Sequence, residues 1–158
     1  MFDFNKLEMT PIYSKDFRPG TSDEQIIELE KHCGHPLPEN YKYILKNYNG
    51  SRPNFKYFDV IDEKDGIPLE YELGDFYIVD ENRNKPSNIW WVIQNFSEYL
   101  GPNTLPFADD GIDQVYYMKW VNNIPQVWHL VYQDLDEPET YCVSNSFDEL
   151  LEALYNAD

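Results

Sequence analysis

Three carboxylates fall within five residues at Asp109-Asp110-Gly111-Ile112-Asp113. Clustered oxygen ligands suit hard cations such as calcium or magnesium, but an EF-hand loop needs acids at alternating positions ahead of its glycine. A tight turn uses the same residues differently: aspartate accepts bonds from nearby backbone amides, and glycine supplies a positive φ. The turn is the favoured reading. His32-Cys33-Gly34-His35 brings imidazole and thiol groups together, the raw material of a zinc site. Such a site normally takes four ligands, and the only other Cys and His are Cys142 and His129. The segment also ends a predicted helix, which favours a structural role. The chain holds no Gly-rich phosphate loop and no Gly-x-Ser-x-Gly elbow. His129 sits in a strand-like run and reads as a core or cross-strand residue. The expectation is a protein that is not an enzyme and takes no metal or cofactor.

The elements that position these groups are legible along the chain. Thr21 and Glu24 have capping-box spacing, Ile26, Leu29 and Cys33 follow at helical intervals, and Gly34 stops the helix. Leu37-Pro38 makes a stiff joint. Tyr41, Ile44, Leu45 and Tyr48 then form a second apolar stripe, closed by Asn49-Gly50. Phe55 to Ile61 predicts a strand, Asp62 to Gly66 a turn, and Leu69 to Val79 strand signals broken at Gly74. Ser87 is the expected N-cap of a helix carrying Ile89, Ile93, Phe96 and Leu100 on one face, ended by Gly101-Pro102. Trp90 and Trp91 on that helix point about 100° apart, so only one can lie at the centre of the buried face. Val115 to Val121 and Gln126 to Gln133 predict an antiparallel pair joined by Asn122 to Pro125, followed by a short strand over Thr140 to Val143. Ser146 and Glu149 repeat the capping-box spacing ahead of Phe147, Leu150, Leu151 and Leu154.

At 158 residues the chain fits one domain, and its 16% aromatic content supplies enough buried area to oppose disorder. Residues 1–20, with Pro11, Pro19 and Gly20, are expected to form an irregular extension packed on a domain spanning 21–158. The fold class is α+β: a mostly antiparallel β-sheet packed with α-helices.

Three segments in this order resemble the motifs of the SUKH superfamily, the group containing the Syd protein and the Smi/Knr-type yeast cell-wall regulators. Leu29, Gly34, Leu37, Pro38, Tyr41, Ile44, Leu45, Asn49 and Gly50 fall on the opening motif. Leu105-Pro106-Phe107-Ala108-Asp109-Asp110-Gly111 is similar to the family's hydrophobic-Pro-Phe-Ala-Asp-Asp-Gly turn, and Ser146 to Leu151 to its closing helix. Many bacterial members are immunity proteins that neutralise the toxin of a polymorphic or contact-dependent system, often a nuclease or deaminase. The resemblance implies that role here. A regulatory or scaffold interaction module, as in the yeast relatives, is the alternative.

Charge points the same way. Twelve basic residues against 29 acidic ones give −17, and residues 101–158 hold one lysine against 11 acids, a net −10. Such a field repels polyphosphates, so direct nucleic-acid binding is not expected, whereas a basic protein partner is attracted. The start Met1-Phe2-Asp3-Phe4-Asn5 lacks the pattern of a signal peptide, and the apolar run Ile89 to Ile93 is too short to cross a bilayer. With two cysteines outside any paired motif, a cytoplasmic, reduced protein is expected, monomeric or weakly dimeric. The expected partner surface comprises the acidic loop Asp134, Asp136, Glu137 and Glu139, with Asp110 and Asp113 beside it if the two turns share an edge of the sheet. Trp128 and Tyr132 on the preceding strand supply aromatic anchors. The groove beside the Pro86–Leu100 helix is the second choice.

Overall fold

The computed structural model describes residues 1–112, 114–132 and 136–156. Its largest element is a four-stranded antiparallel sheet of order β5-β6-β7-β8. The strands are β5 (Thr104–Asp109), β6 (Val115–Val121), β7 (Ile124–Val131) and β8 (Glu139–Ser144). Aromatic and β-branched residues dominate β6, which is buried on both faces over most of its length. Asn122 and Asn123 both adopt positive φ, 52° and 64°, the conformation of a tight two-residue hairpin turn. The connection is therefore shorter than expected, and Ile124 and Pro125 belong to β7, opposite Val121 and Trp120. The pairing of β5 with β6 slips between Pro106 and Ala108, leaving Phe107 at an irregularity.

Among the described residues four α-helices pack with these strands: α1 (Asp23–Cys33), α2 (Glu39–Asn47), α3 (Ile89–Leu100) and α4 (Phe147–Ala153). The N-cap of α1 is Ser22, not Thr21. Ser22 Oγ accepts from Gln25 N, and Gln25 Oε1 accepts from Ser22 N, forming a complete capping box. Thr21 is buried, and its amide donates to Leu45 O. Similarly, Asn88 rather than Ser87 caps α3, accepting from Trp90 N. Gly34 ends α1 at φ 79°, and Ser146 caps α4.

The three family-like motifs meet in the core. Tyr41 of α2, Phe107 of β5 and Phe147 of α4 are all fully buried. Phe107 and Phe147 lie edge to face at 5.2 Å, Tyr41 and Phe147 at 5.6 Å, and Tyr41 and Phe107 at 6.3 Å. Such contacts are worth roughly 0.5–1.5 kcal/mol each beyond area burial. Leu37, Ile44, Leu45, Leu150 and Leu151 are buried around them.

The remaining strands form two small antiparallel pairs. β1 (Met9–Pro11) pairs with β2 (Ser51–Pro53), and β3 (Tyr57–Ile61) with β4 (Pro68–Glu72). Within residues 1–20, Met9–Pro11 forms β1, and Phe4 and Leu7 pack into the core. The expected strand to Val79 ends at Glu72. Phe76 and Ile78 make only isolated bridges, to Ala108 and Asn88. Buried Asn49 holds this segment: its Nδ2 donates to Pro19 O and Val79 O, and its Oδ1 accepts from Val79 N. The asparagine of the opening motif is a backbone clamp. The architecture is a single α+β domain.

Candidate partner-binding site

The Asp109–Gly111 turn forms at the end of β5. Asp109 Oδ1 accepts from Asp75 N and from Gly111 N, both at 2.9 Å. Its carbonyl accepts from Gly74 N, and its amide donates to Asp75 O. One aspartate thereby ties β5 to the segment after β4. A Cβ on Gly74 would overlap Asp109 Oδ1 and lie 2.6 Å from Gly111 N, so this close approach requires glycine. Burial pushes the Asp109 carboxyl up to about 6, against the lowering effect of its two backbone donors.

Asp110, expected on the partner surface, is buried at the end of the sheet. It is 8% exposed and turned into a polar network beneath the sheet end. Its Oδ1 accepts from Ile112 N and Gln114 N; its Oδ2 accepts from Gln114 Nε2 and meets His129 Nε2 at 2.9 Å. Burial alone would raise this carboxyl, but the bonds from His129, Ile112 and Gln114 outweigh burial and hold it below its usual range. His129 is itself buried, stacked on Tyr116 at 4.6 Å. Asp110 is saturated by structural partners, whereas His129 Nδ1 has no hydrogen-bond partner among the described residues.

The other expected residues separate. Asp113 and Asp134 lie outside the described residues. Asp136 and Glu137 are exposed in the β7–β8 connection, and exposed Glu139 opens β8, its carboxylate accepting from Tyr141 Oη. The register pairs Val115 with Leu130, so the β5–β6 and β7–β8 connections lie at the same end of the sheet. Gln114 Oε1 accepts from Tyr132 N across that end. Trp128 is half-buried on β7, with Lys119 Nζ 4.5 Å over its ring and its indole donating to Gln126. Tyr132 instead turns toward α3, its ring 5.0 Å from that of Phe96.

That contact forms one wall of a groove of about 500 Å³ beside α3. Tyr13, Trp91, Phe96 and Tyr132 supply aromatic surface, and Asp75 and Asp109 supply carboxylates. The adjacent tryptophans divide as their helical spacing dictates. Trp90 meets His32 and lies under Arg83, whereas Trp91 lines the groove. Among the described lining residues there is no lysine or arginine. Of the expected partner residues Tyr132 lines this groove, which was the second choice, whereas Tyr13, Asp75 and Asp109 were not among them. Both tryptophans are half-buried, and Ile89, Val92 and Ile93 take the centre of the buried face.

The His-Cys segment is used structurally. His35 stacks on Trp120 at 5.2 Å, while His32 turns to Trp90. Cys33 is buried, which pushes its thiol up, and Cys142 is exposed on β8. Among the described residues no helix is long and apolar enough to cross a membrane. A family model described as SMI1 / KNR4 family (SUKH-1) matches residues 20–153. Comparisons with curated proteins and with solved structures return no match.

Proposed function

The chain belongs to the SMI1 / KNR4 family (SUKH-1), and from this premise we propose that it is an immunity protein that binds and neutralises a cognate toxin. The toxin belongs to a polymorphic or contact-dependent system, carries a basic surface, and acts as a nuclease or deaminase. Neutralisation is stoichiometric and non-enzymatic, in the cytoplasm, with residues 1–20 serving as an extension of the binding domain. The observation that carries this reading is the aromatic groove beside α3, which holds carboxylates and lacks lining cations among its described residues. Aromatic anchors in a desolvated pocket supply affinity, and the −17 charge steers a basic partner into contact and speeds capture.

A −17 protein also mimics the polyanion that a nuclease binds, so it can cover such an active site as a decoy. The test is co-expression with the toxin encoded by a neighbouring gene, together with purification of the pair. Rescue of growth and a stable 1:1 complex support the proposal. Growth arrest that persists with the protein fully expressed contradicts it, and favours the regulatory or scaffold role.

A further inference from the structure

We propose that the groove beside α3 is a socket for a single arginine side chain of the protein partner, with its guanidinium stacked on the aromatic walls and paired with Asp109. This inference deepens the immunity reading and rests on it.

Charge is the first support. Arg52 binds Asp75 through both carboxylate oxygens, Nε to Oδ1 at 2.8 Å and Nη2 to Oδ2 at 3.2 Å. Asp75 is therefore already compensated from outside the groove. Asp109 is in no ion pair among the described residues, although Arg52 and Lys56 line an adjacent cleft that it shares: its side-chain bonds both end on Oδ1, and Oδ2 accepts none from the described residues. Those two amides also hold the carboxylate rigidly, so an incoming group meets a fixed acceptor. Burial raises the proton affinity of this carboxyl, the mark of a partly desolvated charge that a neighbouring cation would relieve.

The walls supply the second support. Rings of Tyr13, Trp91, Phe96 and Tyr132 face a volume in the range of small-ligand clefts. A cation over such faces is attracted by the ring quadrupole, and a guanidinium stacks flat where an ammonium cannot. The chain uses the same chemistry on itself, with Arg83 Cζ 4.5 Å over the Trp90 ring on the same helix. Arginine is also more weakly hydrated than lysine, which lowers the cost of entering a partly enclosed groove.

The test is a titration of the isotopically labelled full chain with N-acetyl-arginine amide and with its neutral isostere, N-acetyl-citrulline amide. Resonances of the Trp91 indole and the Gly111 amide report the groove; those of Glu137 and Glu139 report the acidic loop. Arginine amide is expected to bind at least about tenfold more tightly than citrulline amide, with shifts centred on the groove. Asp109→Asn keeps Oδ1 for its two amides and should weaken arginine binding at least about threefold; Phe96→Ala, which removes a wall, should do the same. Equal affinities for the two probes would overturn the proposal. So would arginine shifts confined to the acidic loop, or full affinity in both variants with the native spectrum preserved. The toxin complex is a separate readout: failed arginine binding with an intact complex removes only the socket. Arginine binding without toxin neutralisation removes only the immunity role.

Discussion

Replacing Phe107 tests whether the aromatic triad is the keystone of the fold. Phe107 is fully buried at the β5 irregularity, within 5.2 Å of Phe147, 6.3 Å of Tyr41 and 6.2 Å of Phe76. Truncation to alanine removes the transfer energy of the ring and leaves a cavity, together about 3–5 kcal/mol. A domain of this size has only about 5–15 kcal/mol in total, so Phe107→Ala should be marginal. Phe107→Leu keeps most of the apolar volume and should cost less, about 1–2 kcal/mol. The informative measurement is a double-mutant cycle of Phe107→Leu with Phe147→Leu, read from urea denaturation. Edge-to-face packing predicts a coupling of about 0.5–1.5 kcal/mol. Costs that add within about 0.3 kcal/mol, or a Phe107→Ala loss below about 1 kcal/mol, would refute the triad as an energetic unit.

Asp109→Asn should stabilise the isolated protein by about 1–2 kcal/mol at pH 8, allowing for partial solvent exposure, and by nothing measurable near pH 3.5. The folded carboxyl titrates at about 6, above its ordinary 3.8, so its favourable contribution is complete below about 4 and is lost as pH rises through 6. Chemical denaturation of both proteins across that range checks the sign; a difference that grows toward acid would contradict it. Gly74→Ala should cost about 1–3 kcal/mol, because the added methyl meets Asp109 Oδ1 and backbone at Gly111. An unchanged melting temperature would show that the segment yields freely. Neutralising Asp136, Glu137 and Glu139 together should slow toxin association about tenfold at low salt and flatten its salt dependence, with stability unchanged or slightly raised. A stopped-flow rate equal to that of the parent protein would remove the acidic loop from the encounter.

Local chemistry made part of this fold legible. Gly34 and Ser146 end and begin helices through their own backbone conformations and side-chain bonds, so their spacing alone identifies them. Thr21 and Ser22 are both competent caps, and burial decided between them: Thr21 is drawn against Leu45, a partner 24 residues away. The same long-range logic moved Asp110. Its sequence neighbours mark a turn, but only the fold brings His129 from β7 to its carboxylate. The groove was least legible because Tyr13, Asp75, Trp91, Asp109 and Tyr132 come from separate parts of the chain. Tyr41, Phe107 and Phe147 explain why the motifs identify a family without identifying a partner: they carry the core, while the groove is built largely from residues between them.

Hydrogen exchange of the purified protein, alone and in complex with the proposed toxin, tests most directly whether the groove beside α3 holds the partner. The account predicts new protection in the segments that frame it, residues 74–78, 86–96 and 109–112, with slowed exchange at the Trp91 indole. Protection confined to the hairpin of β3 and β4, where Ile61, Ile67 and Leu69 are exposed, would contradict it.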